Sequence, residues 1–140
     1  MTNTPTTIDL TYLYSVTVGD KIFEQMLLTE ALADIDIQVK GLKYSWEQKD
    51  AATIKRNAHS LISLSAIAGI CAIESWCRII DQVFSDGLFH PELYGLVDNI
   101  FYEWPAAKSQ LVKILNTQAL HAQKVVEIQQ HKITFIGLQK

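Results

Sequence analysis

The stretch LTEALADIDIQVKGLKYSW, residues 28–46, decides the fold. Its apolar residues Leu28, Leu32, Ile35, Val39, Leu42 and Trp46 recur at alternating spacings of four and three. That repeat returns each side chain to one face of an α-helix, giving one apolar stripe about five turns long. Gly41 lies inside the stripe and weakens the helix slightly. A stripe of this length has to be buried, and the flanking sequence supplies matching faces. Upstream, Val18-Gly19-Asp20 is a break, with Asp20 a good N-cap for this second helix. Before the break, Thr7 or Asp9 caps a short first helix through Val16, with Ile8, Leu10 and Leu13 available to pack.

Downstream, Asp50 caps a third helix that reaches about Ala68. Ile54, Ala58, Leu61, Ser65 and Ala68 form its inward stripe, and Leu64 and Ile67 widen it, which predicts a central position. Gly69 ends that helix or marks a bend. A fourth helix carries Ile73, Trp76, Cys77, Ile80 and Phe84 on one face and closes at Ser85-Asp86-Gly87. Pro91 then sits where a helix begins. Leu93, Leu96, Val97, Ile100, Phe101 and Trp104 make a fifth amphipathic helix, which Pro105 is expected to kink or interrupt. Leu111, Ile114 and Leu115 carry the pattern on. Val126 and Ile128, then Ile133 and Phe135, alternate with polar residues, which are short strand signals. Four long amphipathic helices joined by short loops predict an all-α protein, an antiparallel four-helix bundle with a short leading helix. The bundle is expected over 1–115. The extension 116–140 is read as a short β-hairpin or an irregular tail, packed on the bundle or trailing from it.

At 140 residues the chain is long enough for one hydrophobic core without cross-links. It is 49% hydrophobic and 19% charged, a globular balance, and its net charge of −3 lacks the footprint of a nucleic-acid binder. Cys71 and Cys77 fit neither a CxxC motif nor a zinc site, and six residues along a helix separate their faces. They read as two buried small apolar side chains in a reducing setting. Met1 to Thr7 is polar, unlike a secretory leader, and the most apolar run, LISLSAIAGICAI from Leu61 to Ile73, is too short to span a bilayer. A cytoplasmic, free-standing protein is expected, with no membrane attachment.

The chemistry points to His59, in Asn57-Ala58-His59-Ser60-Leu61. Residues three and four apart share a helix face. Lys55 and Arg56 therefore lie one turn before His59, and Ile62 and Ser63 one turn after it, while the stripe through Ala58 and Leu61 points elsewhere. The imidazole is thus predicted to be at least partly exposed. A neutral imidazole nitrogen is a nucleophile near pH 7, and attack on a phosphoryl group needs access and nearby cations. Lys55 and Arg56 supply charge, and Ser63 leaves room for another protein's active site.

Several short pieces, in order, resemble the histidine phosphotransfer (HPt) domain of multistep two-component signalling. Ile8-Asp9-Leu10-Thr11-Tyr12-Leu13 resembles the family's opening, and Gly19-Asp20-Lys21-Ile22-Phe23 the start of its second helix. Lys49-Asp50 through Arg56-Asn57-Ala58-His59-Ser60-Leu61 resembles its approach to the phosphorylated histidine, and Ala68-Gly69 with Ile73 to Asp81 the helix that follows. The resemblance covers Ile8 to Leu115. It implies that His59 is the phosphoacceptor of a monomeric phosphocarrier, rather than a turnover enzyme. The implied partners are a response-regulator receiver domain, a hybrid sensor kinase, or both. It also implies that the metal and most of the catalytic apparatus belong to the partner, so that no cofactor binds here. The family continues His-x-Leu-Lys-Gly, and this chain has Ile62 and Ser63 at the last two positions. Lys55 is a candidate to replace the missing lysine. The alternative reading is a phosphorylation-deficient module that binds a receiver or kinase without phosphotransfer, with Ile62 as an apolar contact. A helical binding protein of another kind, or a bundle that dimerises through an apolar face, completes the set.

No GxSxG, Walker loop or HExxH is present, and His121 and His131 lack metal-ligand spacing. His90 reads as a loop or helix-start residue before Pro91, Asp34 and Asp36 as solvated surface, and Trp46, Trp76 and Trp104 as core.

Overall fold

A computed structural model describes residues 6–138, with side chains omitted at 119–126 and 131–138. The polar start read over Met1 to Thr7 therefore lies outside the described residues up to position 5, as do residues 139–140. Five α-helices follow one another: α1 Thr11–Thr17, α2 Lys21–Glu47, α3 Ala51–Ala68, α4 Cys71–Val83 and α5 Tyr94–Leu138. Single 3-10 turns at Phe84–Asp86 and Pro91–Leu93 join α4 to α5.

The helix starts are set locally, as their sequences predict. α1 departs from this: its N-cap is Leu10, without a side-chain cap, so neither Thr7 nor Asp9 caps it, although Asp9, one residue earlier, accepts from the Thr11 backbone N–H at 3.0 Å and from its hydroxyl at 2.6 Å. Asp20 accepts from the Phe23 N–H at 3.0 Å, and Asp50 from the Thr53 N–H at 3.2 Å. Gly69 ends α3 in the left-handed conformation, at φ 74°.

The short connections make sequence neighbours antiparallel. α2 packs on α3 and α5, α4 on α3 and α5, and α1 rests across α2 and α3. The core takes Leu28, Leu32, Ile35, Val39 and Leu42 from α2 and Ile54, Ala58, Leu61 and Ala68 from α3. α4 and the turn after it add Ile73, Cys77, Ile80 and Phe84, and α5 adds Val97, Ile100, Trp104, Ala107 and Leu111. Burial pushes the Cys77 thiol up to about 12, whereas Cys71 is exposed at the start of α4, which corrects the expectation that both thiols are buried: six residues apart on one helix, they cannot share its inward face. No helix among the described residues is long and apolar enough to cross a membrane.

Further expectations are corrected or narrowed. The alternation at Val126, Ile128, Ile133 and Phe135 does not mark strands, because α5 runs unbroken to Leu138. Alternation over so few residues is weak, and the intervening Ala, Leu, Gln, Glu and Lys propagate a helix already nucleated upstream. Pro105 does not interrupt α5. It lies on the exposed side with Trp104 and Ala107 buried beside it, so packing holds the helix where one backbone bond is lost. Asp36 is not simply solvated. It accepts from the Trp104 indole N–H at 3.0 Å and from Lys108 at 3.3 Å, linking α2 to α5, and pairs with Lys40 at 3.2 Å.

Candidate functional site

The buried stripe of α3 sets the orientation of His59. Ala58 is fully buried, and the next residue lies about 100° further round the helix. The His59 side chain is 73% exposed. Asn57, on the opposite flank, reaches α2, where its amide lies 3.1 Å from Ser45 Oγ and 2.9 Å from Gln38 Oε1. Gly41 makes room for it, since a Cβ there would fall 2.8 Å from Asn57 Nδ2. The glycine that weakens α2 locally thus admits the residue that ties α3 to α2 just before the histidine.

The feature that sequence reasoning missed is Asp81, on α4. Its Oδ2 lies 3.0 Å from His59 Nδ1, and its Oδ1 accepts from Lys55 Nζ. The Asp81 side chain is only 19% exposed. Partial burial acts to raise its pKa, but hydrogen bonds from Lys55 and then His59 outweigh burial and hold the carboxyl below the usual carboxylate range. An ionised acceptor at Nδ1 favours the neutral tautomer with its proton there, which leaves the Nε2 lone pair available. Nε2 has no hydrogen-bond partner among the described residues. A signal for Asp81 did exist. It follows Cys77 by four residues, so it is a carboxylate on the edge of the α4 apolar stripe.

His59 and Asp81 border an open groove of about 690 Å³ that also takes in Gln38, Ile62, Ser63 and Arg78. A second concavity of about 480 Å³ adjoins it, shares Ile62, Ser63 and Arg78, and extends to Asp9, Tyr12 and Gly69. Ile62 is half-buried against the core beside the histidine, and Ser63 donates to the Ser60 carbonyl at 3.3 Å. Of the two expected cations, Lys55 is engaged by Asp81, and Arg56 is exposed and lines neither groove. Arg56 helps draw down the pKa of Asp50, behind the hydrogen bonds from Thr53. Arg78, not foreseen, is the cation bordering both grooves.

The remaining expectations divide. His90 does sit at the start of the turn into α5, held by Asp86 at 2.8 Å and Glu92 at 3.0 Å, with Phe84 edge-on at 5.2 Å. Trp46 packs against Phe84, Phe89 and Tyr94, pinning that turn to the end of α2. The side chains of His121 and His131 lie outside the described ones.

No family model matches the chain, and no curated protein does. The solved structure of histidine-containing phosphotransfer protein B (HptB) from Pseudomonas aeruginosa PAO1 is similar, with a TM-score of 0.68. The match covers 79% of this chain and 95% of that one, at 17% sequence identity. At that identity the likeness is one of fold, and the fold of this chain is that of a histidine-containing phosphotransfer protein.

Proposed function

We propose that the protein is a histidine phosphocarrier that takes a phosphoryl group from the aspartyl phosphate of a receiver domain and passes it to another receiver. The observation that carries this reading is the His59–Asp81 pair: an exposed imidazole bonded through Nδ1 to a carboxylate, with Nε2 unpartnered among the described residues. The Nε2 lone pair attacks phosphorus, a P–N bond forms, and the P–O bond to the receiver aspartate breaks, returning that aspartate as a carboxylate. The ring becomes an N-phosphoryl imidazolium, still protonated at Nδ1. Asp81 stabilises that positive charge while holding the ring in place. Lys55, on the other oxygen of Asp81, keeps the carboxylate oriented and is a positioning residue. Arg56 stands outside the groove and serves partner docking. Ser63, being small, leaves space for the incoming receiver, and Ile62 offers it an apolar contact. The reverse sequence discharges the phosphoryl group to the next aspartate.

The carrier acts in the cytoplasm as a monomer, and its partners are receiver domains, free or within a hybrid kinase. Residues 1–115 form the phosphotransfer unit, and 116–140 are an appendage to it. The described buried side chains of α5 end at Leu111, which supports that division. One observation favours a binding-only module instead: Ile62 puts an apolar side chain where the family pattern has a lysine.

Incubation with phosphorylated receiver domains tests the choice. An acid-labile, base-stable label should appear on the wild-type chain and not on His59→Gln. Label that persists in His59→Gln overturns the assignment, and binding of receivers without label establishes the second reading.

A further inference from the structure

We propose that Arg78, reaching across from α4, holds the phosphoryl group on His59 in place of the cation that position 62 lacks. The inference rests on the phosphocarrier reading. Its geometry follows from the antiparallel pairing of α3 and α4. His59 faces Asp81 at 3.0 Å, which fixes the register. One turn further along α3 come Ile62 and Ser63, and one turn back along α4 comes Arg78, so the two sets confront each other across the groove. Packed helix axes lie about 8–10 Å apart, a span that an extended arginine crosses.

Among the described side chains, the two cations expected near His59 are already accounted for. Lys55 is held by Asp81, and Arg56 borders neither groove. Arg78 is 61% exposed, and its Nε and Nη2 both donate to a single oxygen of Glu74, at 3.1 and 2.9 Å. A guanidinium carries five N–H groups in a planar fork suited to phosphate oxygens. The Glu74 pair is an exposed contact one turn apart on a helix, a weak class of ion pair. A phosphoryl dianion arriving at Nε2 presents more charge than one carboxylate oxygen, and it draws the fork toward the histidine. Glu74 thus parks Arg78 in the unphosphorylated protein.

The test uses the full-length chain with phosphoramidate as donor, so no receiver is needed. The Nε2 lone pair attacks phosphorus, the donor's P–N bond breaks, and ammonia leaves. Labelling and decay are followed by 31P NMR for wild type, His59→Gln, Arg78→Ala, Arg78→Lys and the double variant Arg78→Ala with Ile62→Lys. The wild type should carry a label that His59→Gln lacks, and His59→Gln sets the background from the other three histidines. Arg78→Ala should label about tenfold more slowly, or lose its label about tenfold faster, with unchanged thermal unfolding. Arg78→Lys should fall between the two, and a lysine at position 62 should recover much of the loss. Equal behaviour of Arg78→Ala and wild type overturns the role of Arg78 and leaves the carrier reading standing. A deficit that neither lysine lessens marks a structural role and also overturns it. A wild type that takes no label from phosphoramidate or from receivers overturns the carrier reading, and Arg78 falls with it.

Discussion

Replacing Gly69, which is buried, with alanine should be far more damaging than a one-methyl change on the surface. Gly69 lies at φ 74°, and a Cβ there would sit 2.3 Å from the Asp9 carbonyl oxygen and 2.6 Å from its carbonyl carbon. Both distances are well inside the about 3.5–4.0 Å of ordinary contact, and the obstructing atoms are backbone. The Asp9 segment must retreat by more than about 1 Å. Retreat breaks the Asp9 N–H to Gly69 carbonyl bond of 2.9 Å and loosens the docking of Leu10, which is buried. The left-handed conformation alone costs about 1–2 kcal/mol for alanine. The lost hydrogen bond adds about 1 kcal/mol. Partial exposure of Leu10 adds about 1 kcal/mol more. The sum is about 3–4 kcal/mol, a large share of the stability of an ordinary domain. Gly19 is the control: its φ is 80°, yet nothing lies within 4 Å of its would-be Cβ. Gly19→Ala should therefore cost only about 1–2 kcal/mol. Urea unfolding, read by far-UV circular dichroism and tryptophan fluorescence, measures both. If the two variants lose the same stability to within about 0.5 kcal/mol, the close approach of Asp9 to Gly69 is refuted.

Four further outcomes follow from the geometry. Asp36→Ala should cost about 1–3 kcal/mol, because it strands the indole N–H of Trp104, which is 4% exposed. The Trp104 hydrogen bond, followed by Lys40, holds the Asp36 carboxyl down to about 2. Its stabilisation is thus present above the unfolded carboxylate pKa and lost as pH falls through about 2, so Asp36→Asn should flatten the acid limb of a stability–pH curve. His90 has the opposite sign, since its pKa is raised, chiefly by the hydrogen bond to Asp86. The stability it adds is full below the unfolded histidine pKa and disappears as pH rises through the higher folded value, which NMR titration and unfolding of His90→Gln will check. Asp81→Asn keeps an acceptor for His59 Nδ1 but removes the charge that steadies the imidazolium, so phosphoramidate labelling should slow about tenfold with the fold intact.

The helices were legible because each carries its own explanation. The stripe on α2, the caps at Asp20 and Asp50 and the stop at Gly69 depend on neighbours within a few residues, and all appear where local rules put them. The errors lie where a local signal was weak or was overruled by packing. Two-residue alternation near the C-terminus lost to the propagation of α5, and Pro105 was carried by buried neighbours. Asp36 was misjudged for another reason: its partner Trp104 lies on another helix, and the room that Gly41 leaves for Asn57 was invisible in the sequence on the same ground.

The site divides along the same line. The sequence alone determined that His59 leaves the core, because the angle between it and Ala58 is a property of any α-helix. It also determined that Ile62 and Ser63 flank the imidazole. Only the tertiary structure decided what the imidazole meets. Asp81 lies 22 positions away in sequence and Arg78 on the turn before it. Their approach depends on how the Gly69 turn sets the register of α4 against α3. That register is fixed by the interlocking of Leu61, Ala68, Ile73, Cys77 and Ile80 in the shared core, a collective result that no single helix contains.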